Sequence, residues 1–285
     1  VGHHYYWDQY PRLKAMGERM GKKLHDLIGL HADIISSELV DTPEKSRQAG
    51  RMFAAENVDI ILVFPFGYTP SANVLPAVRD LTVPIRLLNA HEDWTYDYAS
   101  ADTTDYLHHE GICSIPEFSG ALVSIGKDFR VRTGAFEDAR FLTELQSDFS
   151  GVAAARFFRD MNVGLAGQVY PGMTDMPIDE HRLIRATGRM LVRPEVEEFR
   201  NAYDRVTPAQ LDDMYEQLRD LYEVDDTVTN EQMRFSAQVA VVYDEIIAKR
   251  HDISAFGYYW WGEDELVTQL RAESNLAVSR LAAMG

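Results

Sequence analysis

A chain of 285 residues, 46% apolar and 26% charged, has room for two ordinary domains and the composition of a globular protein rather than a disordered one. Twenty-eight basic against 45 acidic residues leave a net charge of −17, which argues against a nucleic-acid partner, because a phosphate backbone is gripped by a basic stripe. No run approaches the roughly 18 apolar residues of a membrane span, and no basic-then-apolar leader opens the chain; with Cys113 as the single cysteine, an intrachain disulfide and a thiolate zinc site are excluded and a cytoplasmic protein is expected.

The chain starts with HHYYWDQYP, His3 to Pro11, in which six of the first eight residues carry a ring. Leu13 to Ile28 then shows helical spacing, and HADIISSELV (31–40) is a strand-length run. DTPEKSRQAGRMFAAEN opens with Asp41 or Thr42 as N-cap and Pro43 at the first helical position, a helix start signal. VDIILVFPFG (58–67) is continuously apolar, as in a parallel strand covered on both faces. A short helix in YTPSANVLPAVRDL and a strand in VPIRLLNA follow. IPEFSGALVSIG reads as helix, DFRVRTGAF as strand, and EDARFLTELQSDFSGVAAARFFRDM as a long helix. This alternation predicts a doubly wound α/β domain over residues 1–160.

A second α/β domain is expected over 161–285. It begins with a strand in NVGLAGQVY, then a helix from Asp179, a short strand at MLVRP, and helices over 195–203 and 208–221. Asn230 to Arg250 places Phe235, Val239, Val242 and Ile246 on one stripe of a long helix. DISAFGYYWW reads as a strand and the chain from Glu265 onward as helix.

The familiar catalytic signatures G-x-G-x-x-G, G-x-S-x-G and H-E-x-x-H are absent from the sequence. Gly120 to Lys127 (GALVSIGK) imitates a phosphate loop, but five residues separate its glycines and Asp128 stands where Ser or Thr belongs. What remains is a set of aromatic and polar clusters, expected in loops after strands: FGYTPSAN, NAHEDWTYDY, YLHHEG, AGQVYPGMTDMP and GYYWWGEDE. In open α/β sheets ligands bind at the carboxyl ends of strands. Rings, hydroxyls and amides gathered there suit a polyol such as a sugar, the rings packing on C–H faces and the polar groups fixing orientation. If His108 and His109 lie on a helix, they point about 100° apart and cannot share one metal face.

Three stretches together resemble the L-arabinose and L-fucose isomerase superfamily: NLAVSRLAAMG (275–285), IPEFSGALVSIGKDFRVRTGAFED (115–138) and VGLAGQVYPGMTDM (163–176). The resemblance implies a flavodoxin-like N-terminal domain, a second α/β domain and a third domain beyond Gly285, with a first strand before Val1. It implies a divalent metal, commonly Mn²⁺, whose ligands lie outside this chain, and aldose–ketose isomerisation through an enediol in a homo-oligomer whose active site is shared between subunits. No catalytic residue and no metal ligand is expected within residues 1–285. By position the resemblance gives substrate-binding roles to His4, Tyr5, Tyr68, His108, His109, Glu110 and Met173, and to Trp260 and Trp261. Cys113 falls where the arabinose enzymes carry histidine, which shifts that role to His108 or His109. The alternative expectation is a cytoplasmic, non-catalytic sugar-binding or sensor module of two α/β lobes that needs no metal.

Overall fold

The computed structural model describes residues 1–92, 95, 97–259 and 264–284. The chain forms two compact units, Val1–Arg156 and Phe157–Gly285, both mixed α/β with small parallel sheets.

In the first unit, a 3₁₀ turn at His4–Tyr6 leads into α1 (Pro11–Ile28). Pro11 begins α1 because its missing N–H would be unpaired there in any case. Leu13, Gly17, Met20, Leu24 and Ile28 are its buried stripe. Thr42 rather than Asp41 caps α2 (Pro43–Ala55), its side chain accepting from the Lys45 N–H at 3.3 Å. Then come β1 (Ile61–Val63), α3 (Leu75–Val78), β2 (Ile85–His91), α4 (Thr103–His109), α5 (Gly111–Ser124), β3 (Phe129–Ala135) and α6 (Ala139–Asp160). The three strands pair in parallel in the order β1-β2-β3, with Ile61 opposite Ile85 and Leu87 opposite Val131.

Alternation along β2 sends side chains to two cores. Ile85 and Leu87 join Ala49, Val78, Phe118 and Leu122, from α2, α3 and α5. Leu88 and Ala90 join Leu13, Met20, Phe141 and Leu145, from α1 and α6. Helices therefore cover both faces of the sheet at β1 and β2, which is why the β1 segment reads as a continuous apolar run. Arg86 falls on the α6 face and is buried against Asp148, with N and O 2.8 Å apart.

Two differences from the sequence-based expectation have simple causes. The run 31–40 forms no strand: the His31 and Ala32 N–H groups still donate to the Ile28 carbonyl at the end of α1, the Gly2 N–H donates to the Val40 carbonyl at 2.9 Å, and a strand-length run without a partner ladder does not make a sheet. YLHHEG is not a loop after a strand but the last turn of α4 and the junction to α5. Asp102 starts α4 with a capping box completed by Asp105, and this local signal extends helix over the histidines.

The second unit contains β4 (Asn162–Ala166), α7 (Glu180–Thr187), β5 (Leu191–Val192), α8 (Val196–Tyr203), α9 (Pro208–Leu221), α10 (Asn230–Tyr243), β6 (Ile253–Tyr258), α11 (Glu265–Ala272) and α12 (Ser274–Met284). Strand β4 is central, parallel to β5 and β6. Thr207 and Thr229 open α9 and α10 with capping boxes to Gln210 and Gln232. The expected 230–250 helix runs as α10 to Tyr243 and continues as a π-helical segment, Asp244–Arg250. Val239 to Tyr243 are all buried, so the C-terminal half of α10 is enclosed on every side, while its first turn is exposed.

Candidate functional site

At the carboxyl ends of β1 and β2 four pieces of the first unit converge: the N-terminal turn, the loop after β1, the end of β2 and the α4–α5 junction. Tight backbone approach makes this possible. A Cβ on Gly111 would lie 2.4 Å from the Pro65 carbonyl oxygen, so only glycine lets the α4–α5 junction sit on the loop after β1. That contact brings His108, His109 and Glu110 to the same edge as Tyr68.

Asp41 anchors the N-terminal turn. One carboxylate oxygen accepts from the Trp7 indole N–H at 2.8 Å, and the other pairs with the Lys45 ammonium at 2.8 Å. Burial alone would raise this carboxyl's pKa, but the bonds from Lys45 and Trp7 outweigh it and hold it below the usual range. The His4 ring Nδ1 lies 3.1 Å from the Asp41 carbonyl. Beneath the turn, Thr69 donates its hydroxyl to the Gly2 carbonyl at 2.6 Å, and the Asn73 amide donates to the carbonyls of Gly2 and Asp41, each at 3.0 Å. The backbone of residues 1–4 is thereby fixed; the rings of His4 and Tyr5 are displayed, while Tyr6, Trp7 and Tyr10 pack their inner edges against the core that α1 lines.

His4 and Tyr5 are exposed and stack on each other with centroids 4.1 Å apart. Tyr6 meets Tyr10 at 6.3 Å and Tyr68 at 6.5 Å, both edge-on. Burial raises the Tyr6 pKa, helped by Tyr68, Tyr10 and the Glu110 carboxylate. Tyr68 is 40% exposed, so this corner offers aromatic faces and hydroxyls beside a carboxylate. Cys113 donates its thiol to Glu110 at 2.7 Å, and that bond, with burial and the charge of Glu110 behind it, raises the thiol's pKa.

A second cluster adjoins the end of β2. The rings of His91 and His109 stack at 5.9 Å, and His108 meets His109 edge-on at 5.3 Å with planes 84° apart. His109 Nδ1 lies 2.8 Å from the Asp105 carbonyl. From α1, Arg19 donates to Glu92 at 3.2 Å. His108 is buried, and its Nδ1 has no hydrogen-bond partner among the described residues. Burial lowers its pKa to about 4; His109, Arg19 and His91 add to the shift and Glu92 opposes it.

The structure thus brings His4, Tyr5, Tyr68, His108, His109 and Glu110 to one edge of the first unit. Met173 belongs to the second unit, half-exposed in the loop that follows β4. Beside that loop is an open cleft of about 210 Å³ lined by Leu165, Gly167, Gln168, Val169, Pro177, Ile178, Arg193 and Tyr259. Arg193 is neutralised there by Glu180 at 2.6 Å, and Met173 does not line the cleft. Trp260 and Trp261 lie outside the described residues. Among the described residues no group of three or more His, Cys, Asp or Glu side chains could hold a metal ion, and no helix is long and apolar enough to cross a membrane.

Sequence reasoning missed Asp41, Trp7, Thr69 and Asn73 as the supports of the edge. Asp41 was hidden by its neighbour, since Asp-Thr-Pro offers two candidate caps and the structure uses the second. No known family model matches the chain, and no curated protein matches it in sequence.

Proposed function

We propose that this chain is part of a metal-dependent aldose–ketose isomerase of the L-arabinose and L-fucose isomerase type, acting on a pentose or 6-deoxyhexose, with its first unit a flavodoxin-like substrate-binding domain. One observation carries the reading. The ring-rich N-terminal turn, Tyr68 and Glu110 meet at the carboxyl ends of parallel strands, where an α/β sheet binds its ligand. A sugar would rest its C–H faces on the rings of Tyr5, Tyr6 and Tyr68 and give its hydroxyls to His4 and Glu110.

The described residues do not form a Mn²⁺ site, so no step is routed through a metal here. The roles assigned to this chain are binding and orientation, and the proton transfer between C1 and C2 is assigned to residues outside it. A homo-oligomer sharing its sites and a cytoplasmic location belong to the same proposal.

Calorimetric titration with L-arabinose and L-fucose, followed by an assay for aldose-to-ketose conversion with Mn²⁺, tests the proposal. Weak binding that Tyr68→Ala abolishes, with conversion once the metal-bearing part is supplied, is expected. Tight metal-independent binding without conversion would favour a sugar-binding or sensor module. Neither binding nor conversion would end the sugar reading altogether.

A further inference from the structure

The most unusual side chain in the first unit is His108. It is 7% exposed, in the last turn of a seven-residue helix that buries only Thr104 beside it, with Nδ1 unpaired among the described residues. Several charged or titratable groups face it. His109 comes from its own helix, whose Asp105 is instead bonded by Arg12 at 3.4 Å. His91 and Glu92 come from the end of β2, and Arg19 comes from α1, joined to Glu92 at 3.2 Å. Among the described residues Glu92 is the carboxylate that acts on the imidazole, and Arg19 already pairs with it. An imidazolium at this position would be desolvated beside a guanidinium, with its nearest counter-charge shared.

The packing around the imidazole is also tied to the candidate site. The Leu107 carbonyl lies 3.0 Å from where a Cβ on Gly67 would be, and Gly111 rests on Pro65. The last turn of α4 therefore leans on the loop that carries Tyr68 and leads directly into Glu110.

We infer that His108 is a proton-operated latch: neutral, it packs between α1, the end of β2 and α4; protonated, it leaves that packing and releases the α4–α5 junction together with the edge that carries Tyr68 and Glu110. This holds whatever ligand the edge takes, and it does not rest on the sugar reading.

An imidazole with a pKa of about 4 when packed and 6.5 when released makes opening about 30-fold more frequent at pH 5.0 than at pH 7.5. Hydrogen exchange on the whole 285-residue chain, corrected for intrinsic rates, measures this in peptides covering residues 103–118. The wild type is expected to lose about that factor of protection. His108→Leu, which cannot be protonated, should change by less than about 3-fold, while His25→Gln, altering an exposed histidine of α1, should behave as wild type.

A wild type whose protection is flat with pH, or a His108→Leu variant that opens as the wild type does, overturns the latch. Should His108→Leu fail to fold, the carbon-13 titration of the His108 ring in the wild type decides. A midpoint below about pH 5 supports the latch, and one near the free value of 6.5 refutes it.

Discussion

Asp148, on α6, lies between two guanidinium groups of the sheet. It pairs with Arg86 at 2.8 Å and with Arg132 at 2.7 Å, and its side chain is 4% exposed. Burial works against its charge, but hydrogen bonds from Arg132 and Arg86 win and hold its pKa at about 2 instead of 3.8. Replacing it by asparagine keeps the shape and removes the charge, which strands Arg86 in the core. Asp148→Asn is expected to cost about 3–5 kcal/mol in urea unfolding at pH 7. Because the folded-state pKa is depressed, the carboxylate's contribution is complete above pH 3.8 and is lost as pH falls through 2. The gap between wild type and variant should therefore narrow across that window. The absence of a gap, or one that does not narrow in that window, would overturn the role given to the charge of Asp148.

Among the elements, α1 shows how a single stripe of residues is decided by what faces it. Gly17 and Gly21 are one turn apart on that helix, yet a Cβ on Gly17 would lie 2.2 Å from the Phe66 ring, whereas one on Gly21 meets nothing within 4 Å. Glycine in a helix interior normally costs about 1 kcal/mol relative to alanine. Gly21→Ala should therefore stabilise the protein by up to about 1 kcal/mol, while Gly17→Ala should destabilise it by about 1–3 kcal/mol through overpacking. Phe66→Leu, combined with Gly17→Ala, should recover part of the loss, because the clash is with the ring edge. Denaturant midpoints of the four proteins check this, and two alanine variants of the same sign would refute the role given to Phe66.

The same scale shows what could be read from the sequence. Helix starts were legible because each uses local chemistry: Pro11, Pro43 and Pro208 at first positions, and Asp179, Thr207 and Thr229 as caps. The core strand 85–91 was legible because both its faces are covered. What escaped depends on contacts distant in the chain. The run 31–40 has the length of a strand, but only Val40 meets a backbone partner from the start of the chain. The exception is local: His108 and His109 read as a loop although the aspartate cap that makes them helical stands only six residues upstream of His108. The π-helical segment after Tyr243 had no sequence signal either; its first residue, Asp244, pairs with the buried Arg280 of α12. Of the candidate site, the displayed rings were visible and their supports were not, because Thr69 and Asn73 act on backbone carbonyls that carry no sequence signature.

At the scale of the whole molecule, the net charge of −17 is a field that no single pair removes. Most of the ion pairs are at the surface, such as Arg47 with Glu44 and Arg79 with Asp80, whose side chains are all more than half exposed. Such pairs are screened by water and contribute little. Mutual repulsion among the excess carboxylates acts over longer distances and favours expansion of the chain. Its range is about 30 Å in 0.01 M salt and about 8 Å in 0.15 M salt, so added salt should quench the repulsion more than the short surface pairs. The Arg86–Asp148–Arg132 group is buried and is screened least. Raising sodium chloride from about 0.01 to 0.15 M is therefore expected to raise the melting temperature of the wild type by a few degrees, read by differential scanning fluorimetry or circular dichroism. Asp148→Asn should show a rise of similar size from a lower starting point. A fall in melting temperature with salt would place the surface pairs above the net repulsion and reverse the balance argued for this chain.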